Sequence, residues 1–215
     1  MGTGSSTPTN RTGKDVVRQK VENAQKTGVL SLQEHKLEEI PEKVFRLVNI
    51  RTLDVSKNKL KRLSPNLKLL TKLKSLNCDE NKLQAGSLAP VTSLNKLQTL
   101  SAGGNQLGKP VVIQGQTKSP NVLPKLPPSL KQLKLDFNFL SNVPKQIFSS
   151  GLVKLEKLDL SKNMLAAVPG EIKNLVALEE LNLDNNSIVA LPEEIGQLKK
   201  LKALSLQYNS IRVTA

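Results

Sequence analysis

The residues that could do chemistry in this sequence are recurring carboxylates, one histidine and one cysteine. Asp136, Asp159 and Asp184 follow one another at intervals of 23 and 25 residues, so a repeating unit spaces them and they do not converge on one point. His35 and Cys78 are the only residues of their types, which excludes a cysteine pair for zinc and gives no nucleophile a credible partner base. We therefore predict that the protein is not an enzyme, with no catalytic residue, metal site, cofactor or small-molecule substrate.

The elements that must position these carboxylates are copies of one pattern. Residues 155–175 and 178–198 carry leucine, isoleucine or valine in the same columns, and the unit length is 23 residues. The columns can be followed through units that start at 27, 50, 73, 97, 130, 155, 178 and 201. Each has the form L-x-x-L-x-L-x-x-N-x-L, the leucine-rich-repeat pattern, which predicts a short strand and a helical or 3₁₀ return. The expected fold is an α/β leucine-rich-repeat solenoid, a horseshoe with a concave parallel β-sheet of about eight repeats.

An asparagine occupies one fixed column in every unit except the first, where His35 takes its place. An inward amide can pair backbone groups where the chain turns out of each strand, and a buried group without a partner costs about 1–3 kcal/mol. We expect this column to be structural and not to bind a ligand. Cys78, at an inward strand position, is expected to be a small buried core residue. The asparagine column is Asn58, Asn81, Asn105, Asn138, Asn163, Asn186 and Asn209.

The solvent-facing positions of the strands define a concave face. Side chains alternate along a strand, and the four outward positions per unit hold eight acids and four bases, a net charge of −4. Phe137 and Tyr208 are the large rings of this face, and exposed aromatics often anchor interfaces. We predict a protein-binding surface with Phe137 as its anchor, unless that ring folds over neighbouring strands. Its residues are Asp54, Lys57, Asp79, Glu80, Lys134, Asp136, Phe137, Lys157, Asp159, Glu180, Asp184 and Tyr208.

The whole chain has the opposite sign, with a formal net charge of +14. One dense basic patch contains Asp54 as the only acid between residues 51 and 75. A nucleic acid in the concavity would meet net negative charge and few rings, so nucleic-acid binding is disfavoured there. The patch is either a solvated surface or a contact for anionic lipid. It consists of Arg51, Lys59, Lys61, Arg62, Lys68, Lys72 and Lys74.

Residues 1–26 are predicted to be a flexible basic N-terminal tail, or at most a helical lead-in around Val16–Ala24. The start Met1–Ser6 matches the acceptor pattern for N-myristoylation of Gly2. One myristoyl chain binds a membrane only marginally, so the basic tail would supply a second signal for an anionic surface. The sequence has no secretory signal peptide and no pair of cysteines. The expected location is the cytoplasm, with peripheral membrane association as an option.

The solenoid is predicted to span residues 27–215, with one insertion at 108–129. The step from 97 to 130 is 33 residues, and the surplus segment contains five prolines. Proline at this density is disfavoured inside helices and sheets, so we expect a loop that bulges from the return side. It is either a tolerated surface insertion or a docking loop that phosphorylation at Ser119-Pro120 could switch.

Two units share a further motif, [Leu/Ile]-x-x-[Leu/Val]-Pro-x-x-Ile, at residues 165–172 and 188–195. It resembles the cytosolic, Ras-group class of leucine-rich repeats. The run Val21–Val29, after a Met-Gly start, resembles the family of leucine-rich-repeat-containing protein 57. The resemblance implies a cytoplasmic, peripheral membrane protein, a candidate for myristoylation, with no known catalytic activity. The 108–129 insertion departs from it. So does the ending, where nothing after Ile211 supplies a polar cap, which predicts a truncated chain or self-association through that end.

These observations predict a non-enzymatic scaffold that binds another protein with its concave face, tethered to membrane if Gly2 is myristoylated. The alternative is a regulatory subunit of a signalling enzyme such as a phosphatase or a small GTPase. A regulator should change its partner's turnover, whereas a scaffold need not.

Overall fold

The computed structural model describes residues 13–113, 116–118, 123–149 and 151–212 of the 215-residue chain. Eight strands form one parallel sheet whose order follows the chain, as predicted for a leucine-rich-repeat solenoid. They are β1 (Val29–Ser31), β2 (Thr52–Asp54), β3 (Ser75–Asn77), β4 (Thr99–Ser101), β7 (Gln132–Lys134), β8 (Lys157–Asp159), β9 (Glu180–Asn182) and β10 (Ala203–Ser205), with β5 (Val111–Ile113) and β6 (Gln116–Lys118) forming a separate antiparallel pair.

The return segments are short helices. Five are 3₁₀ helices, at Glu42–Arg46, Pro65–Leu69, Ala89–Ser93, Gly170–Asn174 and Glu193–Gln197, and one is the α-helix α2 (Gln146–Ser149). A proline stands at or next to the first residue of each 3₁₀ helix. Proline suits this position because its φ is already helical and its missing N–H would have no partner there. The proline motif of residues 165–172 and 188–195 therefore marks where two of these helices begin, at Gly170 and Glu193.

The core is a stack of equivalent leucines. Leu133 and Leu158 are register partners in neighbouring strands, and both are at most 1% exposed. The same pairing continues from Leu30 to Leu181, so each turn buries its leucines against the adjacent turns. In β10, the last strand of the sheet, Leu204 is 38% exposed because only one neighbouring strand covers it.

Of the two alternatives predicted for residues 1–26, the structure has the helical lead-in and not the flexible tail over residues 13–26, and the helix is longer than Val16–Ala24. It is the helix α1 (Gly13–Thr27), whose Val17, Val21 and Ala24 are buried against the first turn. These residues lie at i, i+4 and i+7, on one stripe of a helix. Gly28, at φ +73°, closes the helix by donating its N–H to Ala24 O at 2.9 Å and leads into β1. Residues 1–12, including Gly2, lie outside the described residues.

The 108–129 insertion is not a plain bulging loop, which corrects the prediction. Its described residues include the β5–β6 pair, and then Leu123 and Leu126, which are buried in the core. Ser119-Pro120 falls outside the described residues. The insertion begins at Gly108, where a Cβ would lie 2.6 Å from Phe139 O and 2.8 Å from Leu140 Cα. Only glycine allows this close backbone approach.

Candidate protein-binding surface

The asparagine column fixes the chain reversal after each strand. The Asn163 amide donates to the carbonyls of Leu135, Leu160 and Ser161 at 3.0–3.1 Å. Its Oδ1 accepts from the backbone N–H of Asn138 and of Leu140, both at 3.0 Å. One side chain thus satisfies five backbone groups in two turns, and the predicted structural role is confirmed.

The residue before each asparagine is held in a left-handed conformation, with φ between 52° and 63° in every turn. Its side chain therefore emerges at the carboxyl-end edge of the sheet. In the fifth and eighth turns this residue is aromatic, and Phe137 and Tyr208 are 57% and 78% exposed. The Phe137 ring is therefore not folded down over the strands. Phe139, which is 40% exposed, lies next to Phe137, and the centroids of the two rings are 6.2 Å apart.

Four of the carboxylates chosen from the sequence are tied into the turns. Asp54 and Asp159 each accept hydrogen bonds of 2.6–3.0 Å from the backbone and hydroxyl of the serine two residues later. Asp79 and Asp184 accept bonds of 2.6–2.8 Å from a serine hydroxyl and a backbone N–H of the next turn. These four residues contribute charge to the face while holding its turns together.

Asp136 lacks the donors that its repeat equivalents Asp79 and Asp184 have. The next turn presents Asp159, which has no proton to donate. Asp136 Oδ1 is consequently buried without a hydrogen-bond partner, and the ion-paired Lys134 Nζ is 3.9 Å away. Burial raises the pKa of the Asp136 carboxyl; Lys134 opposes this effect, and the charges of Asp159 and Asp79 add to it. The fifth turn therefore holds a carboxylate oxygen, Asp136 Oδ1, that the fold itself leaves without a hydrogen-bond partner.

Beside Asp136 lies a shallow depression of about 330 Å³. Gly103 and Gly104 form part of its wall, and a Cβ on Gly103 would collide with the Asp136 carboxylate. Phe137, Glu80 and Lys162 line the remainder with Asp79 and Lys134. An aromatic ring, an unsatisfied carboxylate and a wall without side chains thus meet at one place.

The structure brings only some of the predicted site residues together. Asp79, Glu80, Lys134, Asp136 and Phe137 surround the depression. Lys134, Lys157, Asp159 and Glu180 line a second and larger depression of about 640 Å³ over the strands β7 to β10, where Lys157 pairs with Glu180 at 2.7 Å. Asp54, Lys57, Asp184 and Tyr208 lie in neither depression, and Lys57 pairs with Glu34 at 3.2 Å. Lys162 and Gly103 lie at outward positions of the strands that the sequence places on the concave face, although neither is among the predicted binding residues, whereas Phe139 was not predicted at all. Phe139 follows the fixed asparagine, a column that could have been recognised as outward-facing.

The remaining candidates for chemistry serve the fold. Cys78 is fully buried and its Sγ donates to Ser101 O at 3.1 Å, and burial raises the pKa of this thiol. His35 Nε2 lies 3.0 Å from Lys20 Nζ, linking α1 to the first turn, and burial and Lys20 both lower the pKa of this imidazole. In the part of the chain that the structure describes, no three potential ligands gather as a metal site, and no helix has the length and apolar character to cross a membrane.

Replacing Asp136 with asparagine should raise the thermal stability at neutral pH. Because the folded-state pKa is raised, the charged carboxyl costs free energy at pH values above it, and this cost disappears as protonation occurs on acidification. The gain from Asp136→Asn should be full at pH 7 and shrink as pH falls through the raised pKa toward the ordinary value of 3.8. Thermal unfolding followed by circular dichroism across this range measures it.

The matched control is Asp184→Asn, because Asp184 already accepts hydrogen bonds from Ser205 and Gln207. It should show no gain in melting temperature at pH 7. A lower melting temperature for Asp136→Asn at pH 7 would contradict the assignment of Asp136 as an unsatisfied carboxylate.

The comparisons with known proteins agree with this architecture. Residues 128–188 match the family described as leucine rich repeat. The fold of this chain is that of a leucine-rich-repeat solenoid. No curated protein matches the sequence. A leucine-rich-repeat protein of Leptospira interrogans is 25% identical with a TM-score of 0.65, and the match covers 90% of this chain and 59% of that one.

Two plant receptors share the fold at 29% identity over 80% of this chain. One is the ectodomain of the Arabidopsis thaliana receptor kinase GASSHO1/SCHENGEN3, solved in complex with CASPARIAN STRIP INTEGRITY FACTOR 2, with a TM-score of 0.62 and 20% of that chain covered. The other is the plant peptide hormone receptor RGFR1 in complex with RGF2, with a TM-score of 0.59 and 26% covered. The solenoid thus spans well under two thirds of each of these chains.

Proposed function

We propose that this solenoid is a non-enzymatic scaffold that binds another protein at its concave face, with the fifth turn as the centre of contact. The observation that carries the proposal is the exposed Phe137 ring beside the unsatisfied Asp136 carboxylate. A ring and a polar group that share a depression are typical of interface anchors. The named partners in the two plant receptor complexes support a binding role for the fold.

The charges of this face favour a partner segment with a basic side chain. Lys57 and Lys157 are neutralised by Glu34 and Glu180, and Asp136 needs a donor. A hydrogen bond to a charged group contributes about 1.5–3 kcal/mol, so an arginine or lysine of the partner would stabilise the complex and relieve the buried carboxylate. The guanidinium group of an arginine could also stack on the Phe137 ring.

The membrane part of the proposal concerns Gly2. Myristoylation there would give weak, reversible membrane binding that needs a second basic contact. The Met-Gly start and the proline motif at 165–172 and 188–195 support placement in the cytosolic Ras-group class, in the family of leucine-rich-repeat-containing protein 57, and a location in the cytoplasm at a membrane surface.

Covalent labelling of carboxyl groups tests where the partner lies. The full chain is used to capture its partner, and the complex and the free chain are labelled with a carbodiimide and a small amine. Bound partner should reduce labelling of Asp136 and Glu80 several-fold. Glu171 and Glu193, exposed carboxyls in the 3₁₀ helices of the return side, are the internal controls and should label as in the free chain.

Protection of Glu171 and Glu193 with unchanged Asp136 and Glu80 would place the partner on the return side and end the proposal. An assay of the captured partner then separates the two roles. A change in the partner's turnover on adding the solenoid would identify the regulatory alternative, and unchanged turnover supports a scaffold.

A further inference from the structure

Positive charge collects at the edge of the sheet where the strands begin. From the second turn on, the positions one and three residues before each strand carry eight cations and two carboxylates, a net charge of +6. We call these two columns the basic rim. Its cations are Arg51, Lys72, Lys74, Lys96, Lys131, Lys154, Lys200 and Lys202, and its carboxylates are Glu156 and Glu179.

Most of these cations have no acidic partner. Lys131 pairs with Glu156 at 2.8 Å and Lys202 with Glu179 at 2.7 Å. Lys72 contacts only a neutral amide oxygen, Asn49 Oδ1 at 2.7 Å. The other five are exposed and form no ion pair with any described residue. Six cations therefore remain uncompensated along one edge of the solenoid.

The rim is a continuous row, so cations of neighbouring turns can contact one surface together. Lys74 N–H donates to Arg51 O at 2.8 Å, and Gln98 N–H donates to Lys74 O at 2.8 Å, so successive turns are directly stacked. Adjacent strands lie about 4.8 Å apart, so the seven turns of the rim extend over roughly 30 Å. The dense basic patch identified in the sequence lies only partly on the rim. Arg51, Lys72 and Lys74 belong to the rim, whereas Lys59, Lys61, Arg62 and Lys68 come after the strand β2.

Exposed valines accompany these cations. In the column just before the rim, Val48, Val153 and Val176 are 52%, 54% and 57% exposed. None of the chain's five aromatic residues occupies the rim or this column. Cations interleaved with aliphatic side chains are typical of contact with an anionic lipid surface. A single-stranded nucleic acid would instead favour aromatic stacking platforms.

We propose that the basic rim is a membrane-facing edge that binds anionic lipid headgroups, with the valines entering the interfacial layer. The inference deepens the membrane part of the proposed function and is independent of the concave-face part. The rim lies at the amino ends of the strands and Phe137 at their carboxyl ends. A solenoid bound in this way keeps its protein-binding depression open to the cytoplasmic partner.

Vesicle co-sedimentation tests the rim on the full chain, produced without N-terminal lipid. The probe is phosphatidylcholine vesicles containing roughly one third phosphatidylserine, compared with pure phosphatidylcholine. Each cation near such a surface contributes about 1 kcal/mol, and glutamate adds repulsion. Arg51→Glu, Lys74→Glu and Lys96→Glu combined should therefore lower the partition coefficient by at least about 100-fold. The control combines Lys59→Glu, Lys61→Glu and Lys68→Glu, with the same charge change on exposed residues elsewhere, and should lower it less than about threefold.

A second variant tests whether the rim binds a lipid surface or another kind of polyanion. Val48→Ser, Val153→Ser and Val176→Ser combined leave the charge unchanged and should weaken vesicle binding by about tenfold. Three results would each overturn the proposal. The first is an equal loss of vesicle binding in the rim variant and in the control variant, and the second is no preference for phosphatidylserine. The third is rim-dependent binding of RNA or DNA without vesicle binding. Circular dichroism confirms folding of every variant. Phe137→Ala should bind vesicles as the unmodified chain does, so failure of the rim is distinguishable from failure of the concave site.

Discussion

Replacing Asn163 with alanine is expected to lower the free energy of unfolding by about 3–5 kcal/mol. The alanine would leave two buried backbone donors, the N–H groups of Asn138 and Leu140, without their acceptor. It would also remove the amide donor from three carbonyls in two turns. No water can replace the amide cheaply, because both asparagines and the leucine are buried. The loss should therefore exceed that of a typical single hydrogen bond.

The control for this variant is Asn174→Ala, at an exposed position that ends the 3₁₀ helix Gly170–Asn174. A surface substitution of this kind usually changes stability by about 0.5 kcal/mol or less. Urea titration followed by circular dichroism gives both values. Similar free energies for the two variants would show that the asparagine column does not hold the turns together.

The solenoid could be predicted from sequence because its geometry is one-dimensional. Leu133 and Leu158 recur at one unit length and pair in register. Once the unit is known, every later strand follows from counting, without knowledge of long-range contacts. The parallel sheet and the 3₁₀ returns are therefore consequences of spacing alone.

The structure of two segments could not be predicted by counting repeats, because these segments do not repeat. For α1 the sequence predicts at most a helical lead-in around Val16–Ala24, because Val17, Val21 and Ala24 stand in an otherwise polar run. That these three residues cover the first turn depends on packing. In the insertion, the prolines predicted a loop, but Leu123 and Leu126 return to the core. In a segment without a repeat, the leucines that become buried are determined by packing, and the repeat pattern does not predict them.

Only part of the candidate site could be predicted from the sequence. Alternation along the strands placed Phe137 and Asp136 on the outward face. The state of Asp136 depends on the neighbouring turn, where Asp159 stands in place of a donor, and this requires comparing columns across turns. The space beside it depends on Gly103, whose missing Cβ has a consequence only when the turns are stacked.

Replacing Phe137 with alanine is expected to raise the dissociation constant for the captured partner by at least about 30-fold, which corresponds to about 2 kcal/mol for a central aromatic anchor. The ring is exposed in the free solenoid and lies beside Asp136, whose buried Oδ1 has no hydrogen-bond partner. Truncation removes the largest apolar surface at this place. The substitution should not lower the stability of the fold, because the ring is exposed and, among the aromatic residues that the structure describes, contacts only Phe139.

Val176 provides the matched control for this measurement. Its side chain is as exposed as that of Phe137, at 57%, but it precedes the strand β9 at the opposite edge of the sheet. Binding isotherms of the captured partner with the unmodified chain, Phe137→Ala and Val176→Ala test the proposed surface most directly. The structure predicts a weakening of at least about 30-fold for Phe137→Ala and less than about twofold for Val176→Ala. Equal affinities for all three chains would contradict a partner site at the fifth turn.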